Sequence, residues 1–162
     1  DKEINMTTPI FGIAAAHANS GKTTLICKLI SELRRRGLTV AVLKHGRHLQ
    51  LPDKDGSRFI ESGADTSMLV TDSGWIIQSA PLQEPNLEEV AETLAQTGRY
   101  DLILVEGYKH QSHPRLEICL LGESEEMTNS QGVVGIIGEG GNFDRDDITN
   151  IADFIINYLN LN

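Results

Sequence analysis

The 162-residue chain is poor in cysteine, with two, and in aromatic side chains, at 5%. Neither Cys27 nor Cys119 belongs to a C-x-x-C pair, which removes the thiolate metal sites and dithiol redox chemistry that rely on such spacing. One falls in an apolar helical pattern and the other in a strand-like run, so both are expected as buried thiols of a reducing compartment. Positive charge is scarce too: 14 Lys and Arg stand against 23 Asp and Glu, a net charge of −9. So acidic a chain has no sequence-independent grip on nucleic acid or an anionic membrane, and any anionic ligand must meet a local cluster of cations. No apolar run approaches a membrane span and no leader-like stretch is present, so a soluble, cytoplasmic protein is expected. Repeats and low-complexity tracts are absent, and one domain over 1–162 suffices for this length.

What the chain has is a phosphate-binding signature. The apolar run Ile10 to Ala15 leads into His17-Ala18-Asn19-Ser20-Gly21-Lys22-Thr23-Thr24, after which Leu25, Ile26, Leu29, Ile30 and Leu33 recur on one helical face. In a strand–loop–helix of this kind, backbone N–H groups and the helix N-terminus converge on anionic oxygens. The lysine reaches the β- and γ-phosphates, and the next hydroxyl ligates Mg²⁺. Lys22 and Thr23 hold those positions. Ala16 stands where the usual pattern has its first glycine, but the strand before and the helix after keep the reading intact. Arg34, Arg35 and Arg36 complement the C-terminal end of the helix dipole, and Gly37 ends it.

Leu38 to Leu43 reads as a strand buried on both faces, ending in Lys44-His45-Gly46-Arg47-His48. Polar residues at a strand's C-terminal end lie where open α/β sheets bind ligands, which favours a role for Lys44 and His45 over a merely solvated loop. A polar loop from Leu51 to Ser57 precedes a short helix over 58–62. Its Asp53 and Asp55 suit either a place near the metal or helix capping. Two β-rich runs around Asp72-Ser73-Gly74 predict an antiparallel hairpin. Asn86 and Glu89 have capping-box spacing before a helix with Leu87, Val90, Ala91 and Leu94 on its apolar face.

Leu102 to Val105 is a short buried strand tipped by Glu106-Gly107. An acidic residue so placed beside a phosphate loop holds Mg²⁺, usually through water, or orients the attacking water. Basic residues follow from Lys109 to Arg115, then a strand over 115–121, an acidic loop over 122–130, a last buried strand over 133–137 and a helix bearing Ile148, Ile151, Ala152, Ile155 and Leu159. The succession predicts an α/β fold, a mostly parallel sheet flanked by helices in three layers with a β-hairpin insertion.

Five stretches together resemble the MobB family of molybdopterin-guanine dinucleotide biosynthesis adaptors: Asn19 to Ile26, Val42 to His45, Lys54-Asp55 with Glu61 to Ala64, Leu102 to His110, and Ile151 to Ile155. That resemblance implies a homodimeric P-loop protein that binds GTP with Mg²⁺ and hydrolyses it slowly. It also implies work beside the nucleotidyltransferase MobA, which attaches GMP to molybdopterin. Carried onto this chain it marks Asn19, Ser20, Gly21, Lys22, Thr23, Thr24, Lys44, His45, Asp55, Gly107 and Lys109 for the nucleotide or pterin, Thr23 and Glu106 for the metal, and Glu106 with Lys22 for hydrolysis. GTP rather than ATP rests on the likeness, because the Asn-Lys-x-Asp base-recognition sequence is absent. Both ligands are polyanions, and Lys22, Lys44, Arg47, Lys54, Arg58, Lys109 and Arg115 are expected in loops at strand C-termini to receive them. Two other readings stay open: a dethiobiotin synthetase-like ATPase or synthetase, and a scaffold whose nucleotide site is vestigial.

Overall fold

A computed structural model describes residues 8–17, 19–46, 53–80, 83–119 and 131–161. Along the chain run β1 (Ile10–Ala15), α1 (Lys22–Arg35), β2 (Val40–Lys44), α2 (Lys54–Glu61), β3 (Thr66–Thr71), β4 (Gly74–Ser79), α3 (Leu87–Ala95), β5 (Leu102–Glu106), β6 (Arg115–Ile118), β7 (Val133–Ile137) and α4 (Ile148–Leu159). They fall into two compact units: the chain up to His45 together with that from Leu87 onward, and the segment from Gly46 to Asn86.

In the larger unit five strands form a parallel sheet in the order β2-β5-β1-β6-β7. Successive side chains of a strand point to opposite faces, and β5 shows the result. Leu102 and Leu104 join Phe11, Ile13, Leu29, Leu33, Ile151 and Ile155 in one buried cluster, while Ile103 and Val105 join Ala41, Leu87 and Ala91 in another. Helices α1 and α4 therefore cover one face and α3 the other, the three-layer α/β arrangement read from the sequence. The expectation of strands buried on both faces fails at the rims. There β2 and β7 have one neighbour each; Val42 is 41% exposed and only Ile137 of β7 is fully buried.

Cys27 corrects a second expectation. The buried stripe of α1 is Leu25, Ile26, Leu29 and Leu33, and Cys27 falls outside it and is exposed, while Cys119 is half-buried. At the end of α1, Glu32 accepts from Arg35 and Arg36, whose guanidinium groups hold its carboxyl down to about 2. Arg36 also bridges to Asp153 of α4.

Arg115 opens β6, where the strand is expected to start, but it does not serve a ligand-facing loop: it pairs in register with Gly12 and is fully buried with Nη1 donating to the carbonyls of Gln111 (2.9 Å) and Gln131 (3.1 Å). Its charge serves the interior, not a ligand. His113, two residues earlier, is 7% exposed with both ring nitrogens lacking a hydrogen-bond partner. The ring lies on Gly12, where a Cβ would stand 2.5 Å from Nε2, so this strand position needs glycine.

The smaller unit holds α2 and the antiparallel pair β3–β4, with Met68 opposite Ile77 and Val70 opposite Trp75. Helix α2 begins at Lys54, four residues before the expected start, because the Asp53 carboxylate accepts from the amides of Asp55 (3.3 Å) and Gly56 (3.0 Å). Of its two open roles, Asp53 thus takes the cap. Met68, Val70, Trp75 and Ile77 are all exposed, as is Phe59 of α2.

Candidate nucleotide site

Gly21 is the pivot of the site. Its φ of 78° is left-handed, a conformation glycine adopts at no steric cost, and it turns the chain from β1 into the first turn of α1. No side chain caps that turn. The leading N–H groups of α1 thus end in a loop built of small residues, the arrangement that receives a phosphate. Asn19 is also left-handed at φ 60°, and Ser20 beside it is buried. Lys22 curls back on this loop, Nζ donating to the carbonyl of His17 (3.1 Å) and the hydroxyl of Ser20 (3.0 Å).

The sheet supplies the opposite wall. Parallel pairing sets Ile13 of β1 beside Glu106 of β5 and Glu106 beside Lys44 of β2, so one row crosses three strands close to the phosphate loop. Glu106 accepts from the Thr23 hydroxyl at 3.3 and 3.4 Å, and Lys44 Nζ lies 3.8 Å from it. Asn19, Ser20, Gly21, Lys22, Thr23, Thr24, Lys44 and Glu106 line a single open cleft of about 470 Å³. A hydroxyl beside one carboxylate suits Mg²⁺, which keeps much of its water and takes the rest of its ligands from phosphates. Among the described residues no group of three His, Cys, Asp or Glu could enclose a metal alone. The donor set thus fits a cation that takes its remaining ligands from phosphate and water.

His45, Gly107 and Lys109 flank the cleft. The His45 amide donates to the Glu106 carbonyl (2.9 Å), and its ring lies tilted against Tyr108, centroids 4.5 Å apart. Gly107 at φ 98° and Tyr108 at φ 50° make a sharp left-handed exit from β5, and a Cβ on Gly107 would stand 3.0 Å from that of His45. A non-glycine residue held at positive φ next to a ligand cleft is backbone strain of the kind functional loops retain. Lys109 Nζ reaches the Ala16 carbonyl at 3.4 Å, so the chain after β5 touches the phosphate loop.

Asp55 belongs to the other compact unit. There it sits in the first turn of α2, exposed and 3.8 Å from Arg58, in the same helix as Lys54. Arg47, His48 and the acidic loop over 122–130 lie outside the described residues. One residue near the loop had no signal in the sequence: Arg145, between β7 and α4, whose guanidinium lies against Gly21.

A family profile described as MobB, molybdopterin guanine dinucleotide synthesis protein B, matches residues 10–139. The molybdopterin-guanine dinucleotide biosynthesis adapter protein of Haemophilus influenzae is 33% identical over 96% of this chain and 92% of its own length. That of Escherichia coli is 27% identical over 90% of both chains. Among solved structures, a crystal structure of molybdopterin-guanine biosynthesis protein B superposes with a TM-score of 0.74 at 28% identity, covering 92% of this chain and 99% of that one. Bacillus subtilis MobB shares the fold, with a TM-score of 0.71 at 24% identity over 92% of this chain and 96% of that one.

Proposed function

The chain belongs to the MobB family, and on that premise we propose that it is a GTP-binding adapter which hydrolyses GTP slowly beside a MobA-type nucleotidyltransferase. The observation that carries the nucleotide part is the meeting of Lys22, Thr23, Lys44 and Glu106, drawn from α1, β2 and β5, in one cleft. In this reading the first amides of α1 cradle the phosphates, and Lys22 exchanges its contacts with His17 and Ser20 for charge-assisted bonds to the β- and γ-oxygens. The Thr23 hydroxyl and the Glu106 carboxylate would hold Mg²⁺. The ion, when bound, neutralises charge developing on the transferred phosphoryl group. Lys44 balances Glu106 and adds a second cation at the rim. Molybdopterin, or its guanine dinucleotide, is the other polyanion this local positive charge would receive.

Slow turnover follows from what lines the cleft. Among the described residues that line it none is an arginine, and an arginine at the γ-phosphate is worth about 10³- to 10⁵-fold in rate. Calorimetric titrations with GTP and ATP, each with and without Mg²⁺, test base and metal together. GTP is expected to bind more tightly and to need Mg²⁺ for full affinity. Equal or tighter ATP binding would remove the guanine assignment, and no triphosphate binding would remove the whole reading.

A homodimer belongs to the same proposal. Met68, Leu69 and Val70 are consecutive on β3 and all exposed, so side chains on both faces of the two-stranded sheet lie open, with Trp75, Ile76 and Ile77 opposite. An isolated two-stranded sheet is marginal in water, and apolar surface of this kind marks an association site. A second copy is the proposed cover. Sedimentation equilibrium should show a dimer that Val70→Asp shifts to monomer; a monomeric wild-type chain at micromolar concentration rules the dimer out.

A further inference from the structure

Arg145 is a cation whose position the rest of the fold does not explain. Its guanidinium is held against the backbone of the phosphate loop: a Cβ on Gly21 would stand 2.6 Å from Nη2 and 3.3 Å from Cζ. Nη2 is buried and has no hydrogen-bond partner, and among the described residues Arg145 forms no ion pair. The acidic neighbours that follow it in sequence are engaged elsewhere. Asp146 accepts from Lys28 at 3.0 Å, and Asp147 caps α4 through the amide of Asn150. Leaving a charged donor buried without an acceptor is costly, and such groups in native proteins call for an explanation such as an ion or ligand.

The missing acceptor can be identified from the surroundings. Gly21 contributes to the floor of the cleft, between the Lys22 side chain and the first turn of α1, where anionic oxygens are favoured. Arg145 itself is not among the residues lining the cleft; it meets the site through Gly21, apart from Lys44 and Glu106, beside which the metal and terminal phosphate would lie. We infer that Arg145 is a nucleotide-binding residue that donates to the phosphates nearer the nucleoside, those common to a di- and a triphosphate. The inference rests on the nucleotide reading above and deepens it. It also accounts for glycine at position 21 beyond its backbone angle, because any side chain there would displace the guanidinium. An arginine in this place strengthens binding and leaves the γ-phosphate chemistry unaided.

The test is a titration of GDP and of GTP, both with Mg²⁺, into wild type, Arg145→Ala, Arg145→Gln and Lys22→Ala, with thermal melts of each nucleotide-free protein. Loss of one charge-assisted contact is expected to weaken GDP and GTP binding by the same factor, about 10- to 100-fold, in both Arg145 variants. Unchanged affinity for both nucleotides, with Lys22→Ala impaired, overturns the inference and leaves the nucleotide site standing. A loss confined to GTP, with GDP binding unchanged, overturns it in favour of a γ-phosphate contact. Wild-type affinity in Lys22→Ala removes the nucleotide site itself. Should Arg145→Ala melt early, Arg145→Gln, which keeps a polar planar group but is uncharged and too short to reach as Nη2 does, decides the matter.

Discussion

Lys22→Ala is expected to weaken GTP binding about 100-fold while shifting the melting temperature by only about 2–3 °C. The side chain's contacts, to the His17 carbonyl and the Ser20 hydroxyl, lie within its own loop. Alanine is the best helix former, so the first turn of α1 has no propensity reason to fray. Against a triphosphate the same ammonium makes charge-assisted bonds worth roughly 1.5–3 kcal/mol each, and one or two of these account for the predicted loss. Calorimetry paired with a thermal melt separates the outcomes. Wild-type affinity refutes the lysine's assignment, and a collapse of the melt makes it structural instead.

The largest stability effect is expected from pH, through His113. Burial, aided by the charge of Arg115, pushes its pKa from 6.5 down to about 4. In the unfolded chain the imidazole takes up a proton as pH falls through 6.5, whereas the folded chain resists until about 4. Between those values the unfolded state binds more protons, so stability is full above pH 6.5 and is lost steadily toward pH 4, by at most about 3 kcal/mol. Urea midpoints at pH 7 and pH 4.5 measure the loss. His113→Leu, which cannot titrate, should flatten the part of the slope due to this residue. An unchanged slope in that variant would mean that the carboxylates alone set the acid limit.

Why some of this was readable from sequence and some was not follows from how each feature is encoded. The phosphate loop, α1 and β5 are local: a glycine, a lysine, two hydroxyls and a run of aliphatics specify them within a few residues, and the structure brings Lys22, Thr23 and Glu106 together as read. Strand order is not local. Whether β2 is central or at the rim depends on which strand pairs with it, so the uniform aliphatic character of Val40 to Leu43 overstated its burial. Arg115 misled for the same reason. A basic residue at the start of a strand looks like a ligand contact until the pairing with Gly12 in the middle of the sheet shows it buried inside the protein. The start of α2 slipped because Asp53 had two open roles and capping prevailed. Arg145 carries no motif at all; only the fold brings a residue 124 positions from Gly21 against it.

The sheet order has one more consequence. β1 has a hydrogen-bonded neighbour on either side, whereas β2 has β5 alone. On the nucleotide reading, the amides that would receive the phosphates are thus rooted in an interior strand, and the Lys44 ammonium hangs from an edge strand that frays more cheaply. On that reading, a partner contact that bent this border strand would alter the charge facing the anion while leaving its seat in place, retuning affinity without dismantling the pocket.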